Sequence, residues 1–179
     1  MTGLWGFSQE GLARANDSLL RYALRMPAPQ PQPRRETAEL VRRLRDYFAS
    51  DAAVEVAAAY LFGSQAEGRS HRESDVDVAV LLPWSEASDS EQAFEHRLRL
   101  ITDLSQALGT DAVDVVVLNQ ASPLFGRAVV QRGVRIFVGD AEAAHAYRRD
   151  VQLLAADLEP FVQRHRRRLL QRLREPASP

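Results

Sequence analysis

The sequence predicts an α/β domain of the α+β kind, with a mixed sheet, flanking helices and a long helical segment at its C-terminal end. Two observations carry that expectation. Short apolar runs recur at 54–62, 76–82, 112–118 and 134–138. Between and after them, apolar residues repeat at helical spacing, and strands that alternate with helices need one sheet with helices packed on it.

The elements follow in order. Residues 4–26 place Leu12, Leu19, Leu20, Ala23 and Leu24 at roughly helical spacing, and 27–33 (PAPQPQP) alternate proline with small or polar residues. Such a run is extended, so 1–35 reads as a helical arm and linker ahead of a core at 36–140. From Thr37 to Phe48, Leu40, Val41, Leu44, Tyr47 and Phe48 make one helical face. A strand at 54–62 ends at Gly63, and a second at 76–82 is polar only where an aspartate falls. Ser88 and Glu91 form a capping-box pattern for a helix whose face is Phe94, Leu98, Ile101, Leu104 and Leu108, stopped by Gly109. A third strand is expected at 112–118. Ser122-Pro123 then reads as an N-cap with proline in the first turn of a short helix ending near Gly133, before a last strand at 134–138. The segment 141–179 is expected to be helical, with Tyr147, Val151, Leu154, Leu158, Phe161, His165, Leu169 and Leu173 on one stripe and a kink or division at Pro160.

Composition narrows the chemistry. The 179 residues are 45% hydrophobic and 26% charged, with a net charge of −1, which suits one ordinary domain and argues against a bulk electrostatic grip on nucleic acid. No apolar run reaches the roughly 20 residues of a membrane-spanning helix, and the N-terminus lacks a secretory pattern. A cytoplasmic protein is the expectation. There is no cysteine, hence no disulfide, thiolate metal site or thiol nucleophile. Lysine is absent too; every cation other than histidine is arginine. A Walker-type phosphate loop and Schiff-base chemistry therefore fall away, and phosphate would be met by backbone amides, hydroxyls, arginine or metal.

The informative stretch is LFGSQAEGRSHRESDVDVAVLL. Gly63 lets backbone approach a ligand, Ser64 adds a hydroxyl, and a helix or turn opening there offers free amides to an anion. Strand alternation puts Asp75 and Asp77 on one face, and Asp114 is the single polar residue inside another apolar strand. If the two strands are neighbours, three carboxylates share a patch and repel unless a cation balances them. Hard divalent ions, Mg²⁺ above all, suit such oxygen donors. A pair of ions would activate an attacking hydroxyl and stabilise a pyrophosphate leaving group. Against this stand blander readings: Asp-x-Asp as a solvated edge, Asp114 as a charge that deters aggregation, Ser64 as a simple cap. His71 reads as a solvated loop histidine. The run Arg164, Arg166, Arg167, Arg168, Arg172 and Arg174 reads as a solvated helix face.

Gly-Ser, ten residues, Asp-x-Asp on a strand and a later apolar-Asp-apolar strand resemble the signature of the DNA polymerase β nucleotidyltransferase superfamily. The match runs over about 37–138 and is similar to the minimal nucleotidyltransferase (MNT) branch. The resemblance implies the nucleotidyltransferase fold, ATP as nucleotide donor and two Mg²⁺ ions. It implies Gly63 and Ser64 at the triphosphate, Asp75, Asp77 and Asp114 as metal ligands, and Asp114 as activator of the acceptor hydroxyl. Many relatives carry Ala-Arg-Gly where this chain has Ala66-Glu67-Gly68, which implies either that Arg69 or Arg72 substitutes for that arginine at the nucleotide or that nucleotide binding is weaker here.

Three acceptors stay open. The MNT antitoxins of HEPN/MNT toxin–antitoxin pairs imply AMP transfer to a tyrosine of a HEPN ribonuclease toxin. None of His71, His96, His145 and His165 has an arginine at the HEPN spacing upstream, so such a toxin would be a separate chain. The C-terminal stripe offers apolar surface for a lasting partner. The alternatives are a small-molecule (aminoglycoside-type) nucleotidyltransferase and a non-catalytic binding antitoxin.

Overall fold

A computed structural model describes residues 35–50, 56–68, 74–83 and 90–174. The expected N-terminal arm, the proline-rich stretch, the Ser88 cap, His71, Arg69 and Arg72 lie outside the described residues.

Helix α1 (Arg35–Phe48) leads to strand β1 (Ala58–Phe62), the one-turn helix α2 (Gly63–Ala66) and strand β2 (Val76–Leu81). Helix α3 (Ser90–Leu108), strand β3 (Val113–Val117) and a 3-10 turn (Leu118–Gln120) follow. Helix α4 (Pro123–Arg132), strand β4 (Val134–Val138) and helix α5 (Ala141–Arg174) complete the chain. The sheet order is β3-β2-β1-β4; β1 runs antiparallel to β2 and β4, and β2 runs parallel to β3. It is a mixed sheet, as the alternation of elements predicts.

Strands β1, β2 and β3 divide their side chains between two cores. On one face Ala59, Leu61, Val76, Val78, Val80, Val113, Val115 and Val117 pack with Val41, Leu44 and Phe48 of α1 and Leu100, Leu104 and Leu108 of α3. On the other, Ala58, Tyr60, Phe62, Ala79 and Leu81 pack with Phe125, Ala128 and Val129 of α4 and Tyr147 and Val151 of α5. Asp77 and Asp114 belong by alternation to this second face. β2 is buried at every position except Asp77, which is half-buried, as expected of a central strand covered on both sides.

Helix ends follow their local chemistry. The Ser122 hydroxyl accepts from the Phe125 amide (3.3 Å), and Pro123 opens α4. The Gly109 amide donates to the Ser105 carbonyl (2.8 Å) where α3 stops.

Four expectations change. Of the strand expected at 54–62, residues 54–55 lie outside the described residues, and the strand itself is Ala58–Phe62. Val56 and Ala57 are buried but precede the ladder. The third strand gives up Leu118 to the 3-10 turn. On α3 the buried residues are Ala93, Leu100, Leu104 and Leu108, while Phe94 and Leu98 are 55% and 48% exposed. The helix is rotated so that its smallest apolar residue, Ala93, meets the sheet and the bulky Phe94 stays outside. Finally, Pro160 does not divide α5. Proline removes one amide donor, but Pro160 and Ala156, whose carbonyl loses that bond, are both exposed, so water can satisfy it.

Helix α5 changes character along its length. Tyr147, Val151 and Ala155 are buried, and the Tyr147 hydroxyl donates to the Leu118 carbonyl (3.2 Å). Arg127 of α4 pairs with Glu159 (2.9 Å). Beyond that pair the helix outruns its support. α4 has 10 residues and α5 has 34, lengths of about 15 and 50 Å. Leu158 and Phe161 are 40% and 66% exposed.

Candidate active site

Strand β1 ends at Phe62, whose partner across the antiparallel pair is Asp77. The next residue, Gly63, turns the chain with φ +71°, a left-handed conformation that side-chain-bearing residues adopt at a cost. A Cβ at Gly63 would lie 2.0 Å from Asp77 Oδ2. Gly63 is therefore required twice, by its backbone angle and by the carboxylate against it.

From Gly63 the chain forms α2, whose first turn has no side-chain cap. Ser64 is half-buried in that turn, and the Glu67 amide donates back to the Gly63 carbonyl (3.1 Å). Two side chains moor the turn. Thr37, almost fully buried, donates from its hydroxyl to the Gln65 carbonyl (3.4 Å), and Gln65 Nε2 donates to the Ser74 carbonyl (3.3 Å). The first contact ties α2 to α1; the second ties it to the segment entering β2. Gly68, with φ +66°, turns the chain away after α2.

Ser74 leads to Asp75, which is exposed just ahead of β2, and two residues on comes Asp77. In the parallel pair Asp77 and Asp114 are direct register partners. The Val76 amide donates to the Ala112 carbonyl (2.8 Å), locking the strand starts together. The neighbour relation that the sequence left conditional is thus met, and it sets two carboxylates side by side with a third one strand-step away.

The electrostatic consequence is visible at Asp77. Burial, then the charge of Asp114, then that of Asp75 push its carboxyl up to about 6. Asp114 turns elsewhere: its Oδ1 accepts from an Arg97 guanidinium nitrogen (3.1 Å). Among the described residues no three Asp, Glu or His side chains close around a single point as a metal cage would.

Arg97 is the residue that reading the sequence missed. It also donates from Nε to the Val115 carbonyl (2.6 Å), so α3 reaches β3 at two atoms. A signal for it exists: Arg97 falls four residues after Ala93 and three before Leu100, a charge set on the buried stripe of an amphipathic helix. Thr37 and Gln65 carry no such signal, since nothing local marks which polar residues will moor a distant turn.

Residues 43–142 match the family model described as polymerase beta, nucleotidyltransferase. Among curated proteins, the protein adenylyltransferase MntA of Shewanella oneidensis is 40% identical over 78 residues, 44% of this chain. That stretch spans 51% of the relative, so the chain matches about half its length. Solved structures with a similar trace include a toxin–antitoxin with AMP-PNP, at 24% identity and TM-score 0.49 over 78% of this chain and 98% of that one. A tri-AMPylated HEPN toxin in complex with MNT antitoxin, also from Shewanella oneidensis, matches at 23% identity and TM-score 0.45 over 78% of this chain and 96% of the other. With the family model covering more than half of its residues, the chain belongs to the polymerase β nucleotidyltransferase family.

Proposed function

We propose that this chain is a Mg²⁺-dependent protein adenylyltransferase that moves AMP from ATP to a tyrosine hydroxyl of a HEPN ribonuclease toxin, and so acts as its antitoxin. The observation that carries the chemistry is the Asp77–Asp114 register, with Gly63 pressed against Asp77 and Asp75 two residues upstream. The name of the curated relative, a protein adenylyltransferase, favours a protein acceptor. The exposed end of α5 offers that acceptor a place to stay bound.

The donor set suits a hard cation. All three side chains are carboxylates, and the raised pKa of Asp77 marks negative charge that lacks compensation. Asp75, Asp77 and Asp114 would hold Mg²⁺, which would supply charge neutralisation for the triphosphate and the departing pyrophosphate. Gly63 and Ser64 would meet the phosphates through the amides and hydroxyl of α2, with Arg69 and Arg72 as the cations assigned to the nucleotide.

The tyrosine oxygen attacks the α-phosphorus of ATP. The new O–P bond forms as the bond to the bridging oxygen of the β-phosphate breaks, and pyrophosphate leaves with that electron pair. Asp114, at the rim of the carboxylate patch, takes the phenolic proton. An ATP donor is in keeping with a cytoplasmic reaction.

The test is transfer of label from α-³²P-ATP with Mg²⁺ to a HEPN ribonuclease toxin, the product of the adjacent gene being the first acceptor to try. Label on a tyrosine of that protein supports the proposal. Label only on an added aminoglycoside supports a small-molecule enzyme, and tight complex formation without any transfer supports a binding antitoxin.

A further inference from the structure

We infer that Arg97 is a positioning residue that fixes the Asp114 carboxylate for the attack step. The inference rests on the transfer reaction proposed above and assigns it a residue that lies outside the Gly-Ser and Asp-x-Asp signature.

β3 is an outer strand of the sheet, paired only with β2 among the described residues. An aspartate on such a strand has open space on one side and no neighbouring strand to limit its rotamer. Asp114 is also half exposed, so left alone it would sample several orientations. Arg97 removes that freedom. α3 packs on the opposite face of the sheet from Asp114, and Arg97 passes round the β3 edge to reach it. It donates from Nε to the Val115 carbonyl (2.6 Å) and from a terminal nitrogen to Asp114 Oδ1 (3.1 Å). The first bond anchors the planar guanidinium to the backbone one residue beyond Asp114, and the second uses the same rigid fork to hold the side chain. The anchor is itself held, because Arg97 sits on the stripe whose neighbours Ala93 and Leu100 are fully buried.

Two consequences follow. With Oδ1 committed to Arg97, Oδ2 is the oxygen left to turn toward the reacting groups. Arg97 also sets a positive charge against Asp114, the register partner of Asp77, and so offsets part of the like-charge repulsion in the patch. Arginine serves better than lysine here because one side chain must satisfy two acceptors in fixed directions.

Steady-state transfer by Arg97→Ala and Arg97→Lys tests the inference, together with the Arg97→Ala, Asp114→Asn double change. Arg97→Ala is expected to lower kcat about 10–100-fold, the usual cost of losing such a support. KM for ATP and the melting temperature should stay close to wild type, and Arg97→Lys should recover only part of the loss. Because Arg97 acts through Asp114, the double variant should be no slower than Asp114→Asn alone. Wild-type kcat in Arg97→Ala, or additive losses in the double variant, would overturn the inference. A second readout does not need activity: the Arg97 Nε–H resonance in ¹H–¹⁵N spectra should shift and exchange faster in Asp114→Asn. An unmoved resonance also refutes it, even in a protein that transfers nothing, whereas absent transfer in wild type counts against the proposed function alone.

Discussion

The carboxylate patch and the far end of α5 place charge in opposite surroundings. At the patch, Asp77 is half-buried beside Asp114 and near Asp75, and burial with like charges raises its pKa. Beyond Glu159, α5 carries Arg164, Arg166, Arg167 and Arg168 in full exposure, with no acidic residue before Glu175. Water and salt screen those arginines, so they cost the fold little and contribute little to it. Burial and like charge disfavour the ionised Asp77 in the free protein, so under the proposed function the patch would gain when a cation and phosphates arrive, whereas the α5 end would gain when another surface covers it. In the proposed function the first region serves a small charged ligand and the second a macromolecule.

The largest expected effect separates the two regions by activity. Asp75→Asn with Asp77→Asn should reduce AMP transfer by at least about 10²–10³-fold, as expected when charge stabilisation at the reacting phosphate is lost. Circular dichroism should remain unchanged, and residual transfer near the wild-type rate would remove these residues from the chemistry. Mg²⁺ with a non-hydrolysable ATP analogue should raise the melting temperature of the wild type and leave that of this variant unmoved.

Next in size, Leu158→Asp with Phe161→Asp should weaken binding to the proposed HEPN partner roughly 10–100-fold by calorimetry, the scale of losing a buried anchor. Stability should change by no more than about 0.5 kcal/mol, since both side chains already face solvent. A large drop in melting temperature would mean that the α5 end belongs to the core after all.

Gly63→Ala should cost about 1–2 kcal/mol from its left-handed angle alone, a fall of roughly 2–8 °C in melting temperature. The methyl group against Asp77 Oδ2 adds to that, so transfer should fall as well. A variant as stable and active as wild type would refute the close packing of the turn on the carboxylate.

The last effect is electrostatic and depends on pH. Asp77 has a folded-state pKa of about 6 against an ordinary 3.8. Folding therefore takes up a proton between those values, and the stability contributed by this group is complete below 3.8 and lost as pH rises through 6. Asp77→Asn should melt higher than wild type at pH 7 and show no such gain near pH 3.8. A difference that does not vary with pH would rule out charge repulsion as the cause.

Much of this was legible from local pattern. Gly63, Ser64, Asp75, Asp77 and Asp114 stand out because each interrupts or ends an apolar run, and the termini of β4 and the cap of α4 coincide with the residues that local chemistry marks. The phase of α3 was not legible. Phe94, Leu98, Ile101, Leu104 and Leu108 form a valid helical stripe, but the packed stripe is rotated toward Ala93 and Leu100. Periodicity defines a face only to within a residue or so, and which neighbour turns inward depends on the space the sheet leaves. The same limit hid Pro160, whose effect depends on whether the carbonyl it strands meets water.

By itself, then, the sequence determined the strand–helix order, the mixed sheet and the aspartates available for chemistry, because these follow from side-chain period and backbone preference over a few residues. Only the tertiary structure decided that β2 and β3 are adjacent, that Asp77 and Asp114 fall in register, that Gly63 lies against Asp77, and that Arg97 reaches Asp114 round the sheet edge. Those are contacts between residues far apart in the chain. They depend on how whole elements pack, which no short window of residues specifies.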